Sequence, residues 1–256
     1  MGGVFPRQGW RLQGRTRVQV SQTAFARASL AGFFLTGLVL AFPGAVILAW
    51  GFHLKCDFLT VGNLFLSMNA GMLASIAPGY ALLSRRGIRF MLALSAIAAC
   101  VGFFYLALLP PAPSPWWRMS GIFLLGFASG CMSITVFHSI SPVYASNAAA
   151  ALNLAGGFFG LGSLLTALLV AGSFYIYSVP SILVLLGLIP GFAAGLFLKS
   201  GFAAIPMPRQ PSLRESIQDF KTPAAVLMAI LLFFQFGNEW SIAGWLPLYL
   251  VQRLGV

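Results

Sequence analysis

Apolar residues run along this chain in seven long blocks, separated by short polar or proline-bearing breaks. The blocks cover about 28–51, 60–83, 90–109, 119–141, 149–172, 177–198 and 223–249. Each is near the ~20 residues that an α-helix needs to cross the hydrocarbon core of a bilayer. The pattern predicts an all-α integral membrane protein with seven spanning helices. A polar, basic arm over 1–27 precedes the first block, which is about membrane length. A cleavable signal peptide carries only ~7–15 apolar residues, so this block reads as a retained span. The breaks are short except at 199–222, where Pro206, Pro208 and Pro211 precede a charged run from Arg214 to Lys221. That stretch is the one candidate linker between domains.

Composition agrees with the pattern. The chain is 59% hydrophobic and 7% charged, with a mean hydropathy of +0.90, whereas soluble domains carry about 25% charged residues. A net charge of +11 raises the question of nucleic acid, but the basic residues lie between and beside the apolar blocks. That is a topology signal rather than a polyanion-binding face, and no nucleic-acid partner is expected. Twelve of the fifteen Lys and Arg residues fall in the N-terminal arm, in the break holding Arg85, Arg86 and Arg89, or in the 199–222 stretch. Lys55, Arg118 and Arg253 remain for the other side. The positive-inside rule then puts the N-terminus in the cytoplasm of a multi-pass protein of the inner or plasma membrane. The arm is free to rest on anionic lipid. Trp116, Trp117, Tyr175 and Tyr177 are expected at the outer interface. Cys56, Cys100 and Cys131 are scattered and show neither metal-ligand spacing nor a disulfide framework.

Two internal similarities point to repeats. Gly32-Phe-Phe-Leu-Thr-Gly37 in the first block matches Gly121-Ile-Phe-Leu-Leu-Gly126 in the fourth. Those spans cross in opposite directions, as in an inverted three-plus-three arrangement. Leu40-Ala-Phe-Pro-Gly-Ala45 matches Phe234-Gln-Phe-Gly-Asn-Glu239, where both spans run outward. Pro43-Gly44 and Pro190-Gly191 are expected bends, because proline removes an internal helix hydrogen bond.

Glu239 is the one acidic residue inside an apolar block. A carboxylate at bilayer depth costs roughly 2.5–3.5 kcal/mol, so its presence calls for a reason. Gln235 and Asn238 precede it by four and three residues and share its helical stripe. The stripe reads either as the wall of a water-accessible cavity or as a protonated Glu239 bonded to a neighbouring helix. Asn69 stands either against solute or as a link between helices. Phe42, Phe158, Phe236, Trp240 and Trp245 are candidate sugar-stacking or apolar pocket walls, with lipid-facing packing the default for any one phenylalanine among the 24. His138 is a candidate proton relay or a helix-end hydrogen-bonding group.

The break after the second block reads Gly79-Tyr-Ala-Leu-Leu-Ser-Arg-Arg-Gly-Ile-Arg89. It resembles the signature between the second and third spans of major facilitator superfamily transporters. Arg85, Gly87 and Arg89 fit, Gly79 comes one position early, and Ser84 replaces the usual aspartate. The resemblance implies a cytoplasmic gating loop, with Ser84 able to hydrogen-bond but not to pair with arginine. Ala151-Leu-Asn-Leu-Ala-Gly-Gly-Phe-Phe-Gly-Leu-Gly-Ser163 and Gly237-Asn-Glu-Trp-Ser-Ile-Ala-Gly-Trp-Leu-Pro247 are similar to the fifth and seventh spans of that superfamily's fucose-permease-like sugar transporters. In the fifth, Gly156, Gly157, Gly160 and Gly162 are expected to form a close-packed helix interface.

The resemblance implies a six-helix major-facilitator N-terminal bundle over 28–198, built as an inverted three-plus-three repeat. The 199–222 linker and a seventh transmembrane helix within 223–256 would follow. It also implies substrate-binding roles for Gln235, Asn238, Glu239, Trp240, Trp245, Asn69, Phe42 and Ser133. Proton-coupled members carry carboxylates where this chain has Gly44 and Ser133, which leaves Glu239 as the candidate protonation site. The implied activity is secondary transport of a small, sugar-like solute by alternating access, with no cofactor and no metal. Since the family has two six-span halves, the chain is expected to be truncated or to need a partner supplying the missing second half. A seven-span sensor or a non-transporting membrane subunit is the alternative; a retinal protein is disfavoured because no span interior holds a lysine. The chain has no His-Glu-x-x-His, Gly-x-Ser-x-Gly or Walker-type loop, so an enzyme is not expected.

Overall fold

The computed structural model describes residues 9–50, 58–110, 114–143, 147–173, 178–199, 218, 221–250 and 253. Side chains are described for these except 9–25, 48–50, 141–143, 148, 236, 240, 241, 243, 247 and 248. Seven helices account for nearly all of them: α1 Gly9–Trp50, α2 Phe58–Ala74, α3 Ile76–Leu108, α4 Pro115–Val143, α5 Ala148–Ser173, α6 Val179–Lys199 and α7 Pro223–Tyr249. The arm expected before the first span is helical from Gly9 onward and continuous with it. The helices α1 and α6 continue through Pro43 and Pro190.

Six stretches are long and apolar enough to cross a membrane among the described residues, and one of them, Phe58–Leu108, is 51 residues long. At ~1.5 Å per residue a straight helix of that length would measure about 76 Å, well over twice a ~30 Å hydrocarbon core. The chain instead reverses at Gly87, where φ is 79° and ψ 172°. This conformation is closed to residues bearing a Cβ. The contacts with α4 show the reversal. Before Gly87 the two chains run in parallel, with the Ser67 hydroxyl donating to the Met119 carbonyl at 2.7 Å and Gly79 packed on Ile134. After it they run antiparallel, with Gly102 against Leu125 and Gly121 against Leu106. Phe58–Leu108 therefore supplies the second and third crossings, separated where the apolar pattern breaks.

Four close approaches organise the bundle. Gly37 of α1 lies against the Phe159 carbonyl of α5, and Gly162 of α5 against the Phe34 carbonyl of α1. In the other pair, Gly126 of α4 lies against the Met68 carbonyl of α2, and Gly71 of α2 against the Phe123 carbonyl of α4. A methyl at any of the four glycines would overlap backbone, so the helix axes approach as closely as small residues allow. The residues correspond pair by pair: Phe34 and Gly37 of α1 match Phe123 and Gly126 of α4, in the register of the internal repeat. The α1–α5 contact is tied further by Ser163 donating to the Gly37 carbonyl at 3.1 Å and Thr166 to the Leu38 carbonyl at 3.0 Å.

Of the glycines expected to pack α5, Gly162 does so, while Gly156, Gly157 and Gly160 have nothing within 4 Å. The third crossing packs antiparallel on α6, with Gly187 against Phe103 and Gly191 against the Cys100 sulfur. The α1–α4 contact is antiparallel too, through Gly32 and Val136 and through a 2.6 Å hydrogen bond between the buried hydroxyls of Ser29 and Ser139. Leucine and phenylalanine side chains cover the outer surface, Leu66, Leu73, Leu168, Phe192 and Phe233 among them. That is the face a bilayer solvates. The helix α7 lies outermost, with none of its most apolar window buried.

Candidate functional site

A cavity of about 150 Å³ opens where α7 meets the bundle. Leu40, Ala41 and Gly44 of α1 form one wall, Phe65 of α2 and Phe159 and Ser163 of α5 the next, and Glu239 and Gly244 of α7 the last. The close α1–α5 packing explains why Ser163 sits here. Its hydroxyl is held by the carbonyls of Gly37 at 3.1 Å and Phe159 at 3.2 Å. A helical serine commonly bonds back to the carbonyl four residues earlier, which satisfies its donor in an apolar setting.

On α7 the stripe expected from the sequence is partly realised. Gln235 Nε2 donates to Glu239 Oε1 at 3.0 Å, one helical turn apart. Gln235, Asn238 and Glu239 are all exposed, and of the three only Glu239 lines the cavity. Gly244 seats α7 on α2, because the Phe65 ring occupies the space a side chain there would fill. Trp245 closes the same contact, tilted against Phe58 with ring centroids 5.8 Å apart and against Phe65 at 6.3 Å. It is thus a packing residue beside the cavity. The Trp240 and Phe236 side chains fall outside the described residues, as do Tyr175 and Tyr177.

The remaining expected positions lie elsewhere. Phe42 is fully buried and meets Phe103 edge-to-face at 5.1 Å. It belongs to the core, turned away from the cavity that its neighbours Ala41 and Gly44 line. Asn69 is exposed on α2 and donates to the carbonyl of Phe65 in its own helix at 2.9 Å. Ser133 is half-buried on α4 and is not part of the cavity wall. Phe158 packs against the core while the adjacent Phe159 lines the cavity. Successive helical residues are rotated by about 100°, so naming the neighbour of the right residue selects the wrong face.

At the turn after the second crossing, Ser84 donates to the Ala81 carbonyl of its own helix at 2.9 Å. Arg85 and Arg89 are exposed, and the Arg86 guanidinium stands 5.7 Å from the Phe90 ring centroid. Gly79 is buried against Cys131 and Ile134 of α4, and Gly87 makes the reversal itself. His138 is half-buried on α4. Among the described residues no three His, Cys, Asp or Glu side chains converge as a metal site would require.

Sequence reasoning reached Glu239 and missed Leu40, Ala41, Phe65, Phe159 and Ser163. The signal available for Phe159 and Ser163 was their place in the glycine-rich stretch of α5. Nothing in the local sequence distinguishes Phe65 from the many other phenylalanines. Comparison of the chain with family models, with curated proteins and with solved structures gave no match.

Proposed function

We propose that this chain is a secondary transporter, or the substrate-holding part of one, that moves a small solute across the membrane by rocking of helix groups about the cavity beside Glu239. The observation carrying this reading is that the one acidic residue of the apolar blocks lines a cavity formed by four separate helices. An ionisable group at bilayer depth is costly and marks a solute or ion pathway more often than a structural contact. The paired glycine contacts add support. The same close approach recurs in α1–α5 and α4–α2, as an inverted repeat would produce, and repeats of that kind characterise alternating-access carriers. The second internal similarity fits as well: Gly44 and Glu239, from the two matching segments, face one cavity.

The major facilitator resemblance belongs to this proposal, as does its cytoplasmic gating loop around Gly87. So does the orientation with the N-terminus inside. The reversal at Gly87 and the ends of α4 and α6 lie on the same side as the start of the first span, and Arg85, Arg86, Arg89 and Lys199 belong to those segments. The test is uptake into proteoliposomes bearing the full-length protein, with a panel of sugars and small amphipathic solutes. Saturable uptake that Glu239→Gln abolishes is expected. Saturable uptake unchanged by that substitution would make Glu239 structural, and no saturable uptake of any solute would end the transport reading.

A further inference from the structure

We infer that the cavity selects a small organic cation, an ammonium with a compact apolar body, in place of the sugar that the resemblance implies. This rests on the cavity being the solute site, and it follows from what the wall offers. Among the described residues of the wall Glu239 is the only charged group, and an ionised carboxylate is acceptor-only. The other polar side chain among the described lining residues is Ser163, whose single hydroxyl hydrogen is directed at the Gly37 and Phe159 carbonyls. Ser163 therefore offers the cavity lone pairs and no proton.

The remaining described lining residues are apolar, Phe65 and Phe159 among them. Aromatic faces attract cations through the ring quadrupole. None of the described Lys and Arg side chains lines this wall. An anionic solute would meet Glu239 with no compensating cation. A sugar carries several hydroxyls that need donors as well as acceptors, and the described side chains of this wall supply acceptors alone, which leaves most of those hydroxyls without a side-chain donor among them.

Size is in keeping with that class, the cavity being half-open rather than enclosed. The cavity volume is about 150 Å³. It falls below the ~300 Å³ at which pockets for drug-sized ligands begin. A choline-sized ammonium fits this description, with Glu239 countering its charge and the two phenylalanines flanking its methyl groups.

The test uses radiolabelled choline as the probe, in equilibrium binding to the purified full-length protein and in counterflow from proteoliposomes. Competitors are tetramethylammonium, the neutral isostere 3,3-dimethylbutan-1-ol, and L-fucose. Binding of choline is expected to saturate, and tetramethylammonium to displace it. The neutral isostere should displace it at least about tenfold less well, and fucose not at all. Glu239→Gln should lower choline affinity by about tenfold or more with an unchanged circular dichroism spectrum. Phe159→Leu, which leaves the carboxylate in place, should lower it roughly three- to tenfold.

Equal competition by the neutral isostere, unchanged affinity in both variants, or no saturable binding by either cation would overturn the assignment. The two readings separate cleanly. Choline binding without counterflow keeps the cation site and removes transport. Saturable fucose flux indifferent to cations keeps transport and removes the cation site.

Discussion

Replacing Gly37 or Gly126 by alanine, one at a time, should destabilise the bundle by similar amounts, and the same change at Gly160 should not. The added methyl at Gly37 would overlap the Phe159 carbonyl, and at Gly126 the Met68 carbonyl. Both obstacles are backbone, so neither can swing aside as a flexible side chain would. Relief requires the helix pair to separate, which strands the Ser163–Gly37 and Thr166–Leu38 hydrogen bonds in the first case. Overpacking of this kind costs about 1–3 kcal/mol. Against it stands the ~0.5–1 kcal/mol that alanine gains over glycine inside a helix. The net is roughly 1–2 kcal/mol of destabilisation at each site, which for a chain of this size lowers Tm by roughly 2–8 °C. At Gly160 nothing lies within 4 Å, so only the propensity gain remains and Tm should hold or rise slightly. Thermal unfolding of the three variants in one detergent, followed by thiol-reactive fluorescence at Cys100 and Cys131, reads all of this. Stable Gly37→Ala and Gly126→Ala proteins would refute the close approach. A large loss at only one of them would refute the equivalence of the two helix pairs.

Three further outcomes are expected. Gly87→Ala should cost about 1–3 kcal/mol, because its φ of 79° with ψ of 172° is strained for any residue with a Cβ; an unchanged unfolding midpoint would argue against the tight reversal. Phe42→Ala should destabilise by about 3–5 kcal/mol through loss of a fully buried ring, yet leave the ranking of solutes in a binding panel as it was. A changed ranking would return Phe42 to the cavity. Single cysteines at Arg86 and Trp117 in a background lacking native cysteines should react with a membrane-impermeant maleimide from opposite faces of the membrane, Arg86 from the cytoplasmic one. Labelling of both from one face would refute the topology.

What could be read in the sequence divides along a physical line. Crossing a bilayer demands only length and apolarity, properties that add along the chain whatever the side chains touch. The later blocks therefore fell within a few residues of the helices: the last, at 223–249, coincides with Pro223–Tyr249, and the fifth, at 149–172, with Ala148–Ser173, whereas α1 begins at Gly9, well before the block at 28–51, and α2 ends at Ala74, short of the block at 60–83. The reversal was visible because the Arg85–Arg89 break carries the charge and the glycine that a turn outside the membrane needs. The Gly32–Gly37 and Gly121–Gly126 similarity was legible for a related reason. Close helix approach tolerates almost nothing but glycine, so the contact leaves a mark on composition.

Helix rotation leaves no such mark here. In a soluble helix the polar face tells which side is outside, but in a bilayer both lipid and core are apolar, and leucine or phenylalanine suits either. Phe42 and Phe233 illustrate the degeneracy: one is wholly buried and the other exposed, and neither local sequence betrays it. Only a residue that is costly against both lipid and core has a face readable from sequence alone, and Glu239 is such a residue. Its presence requires a partner or a polar space, and the structure supplies Gln235 beside it and the cavity in front of it. The rest of the wall follows from packing. Ser163 is placed by the α1–α5 contact, Gly244 by the Phe65 ring, and Ala41 and Gly44 by the turn of α1 that directs Phe42 into the core. A site assembled this way is written in contacts between helices, so a single stripe on α7 could announce the cavity without naming its opposite wall.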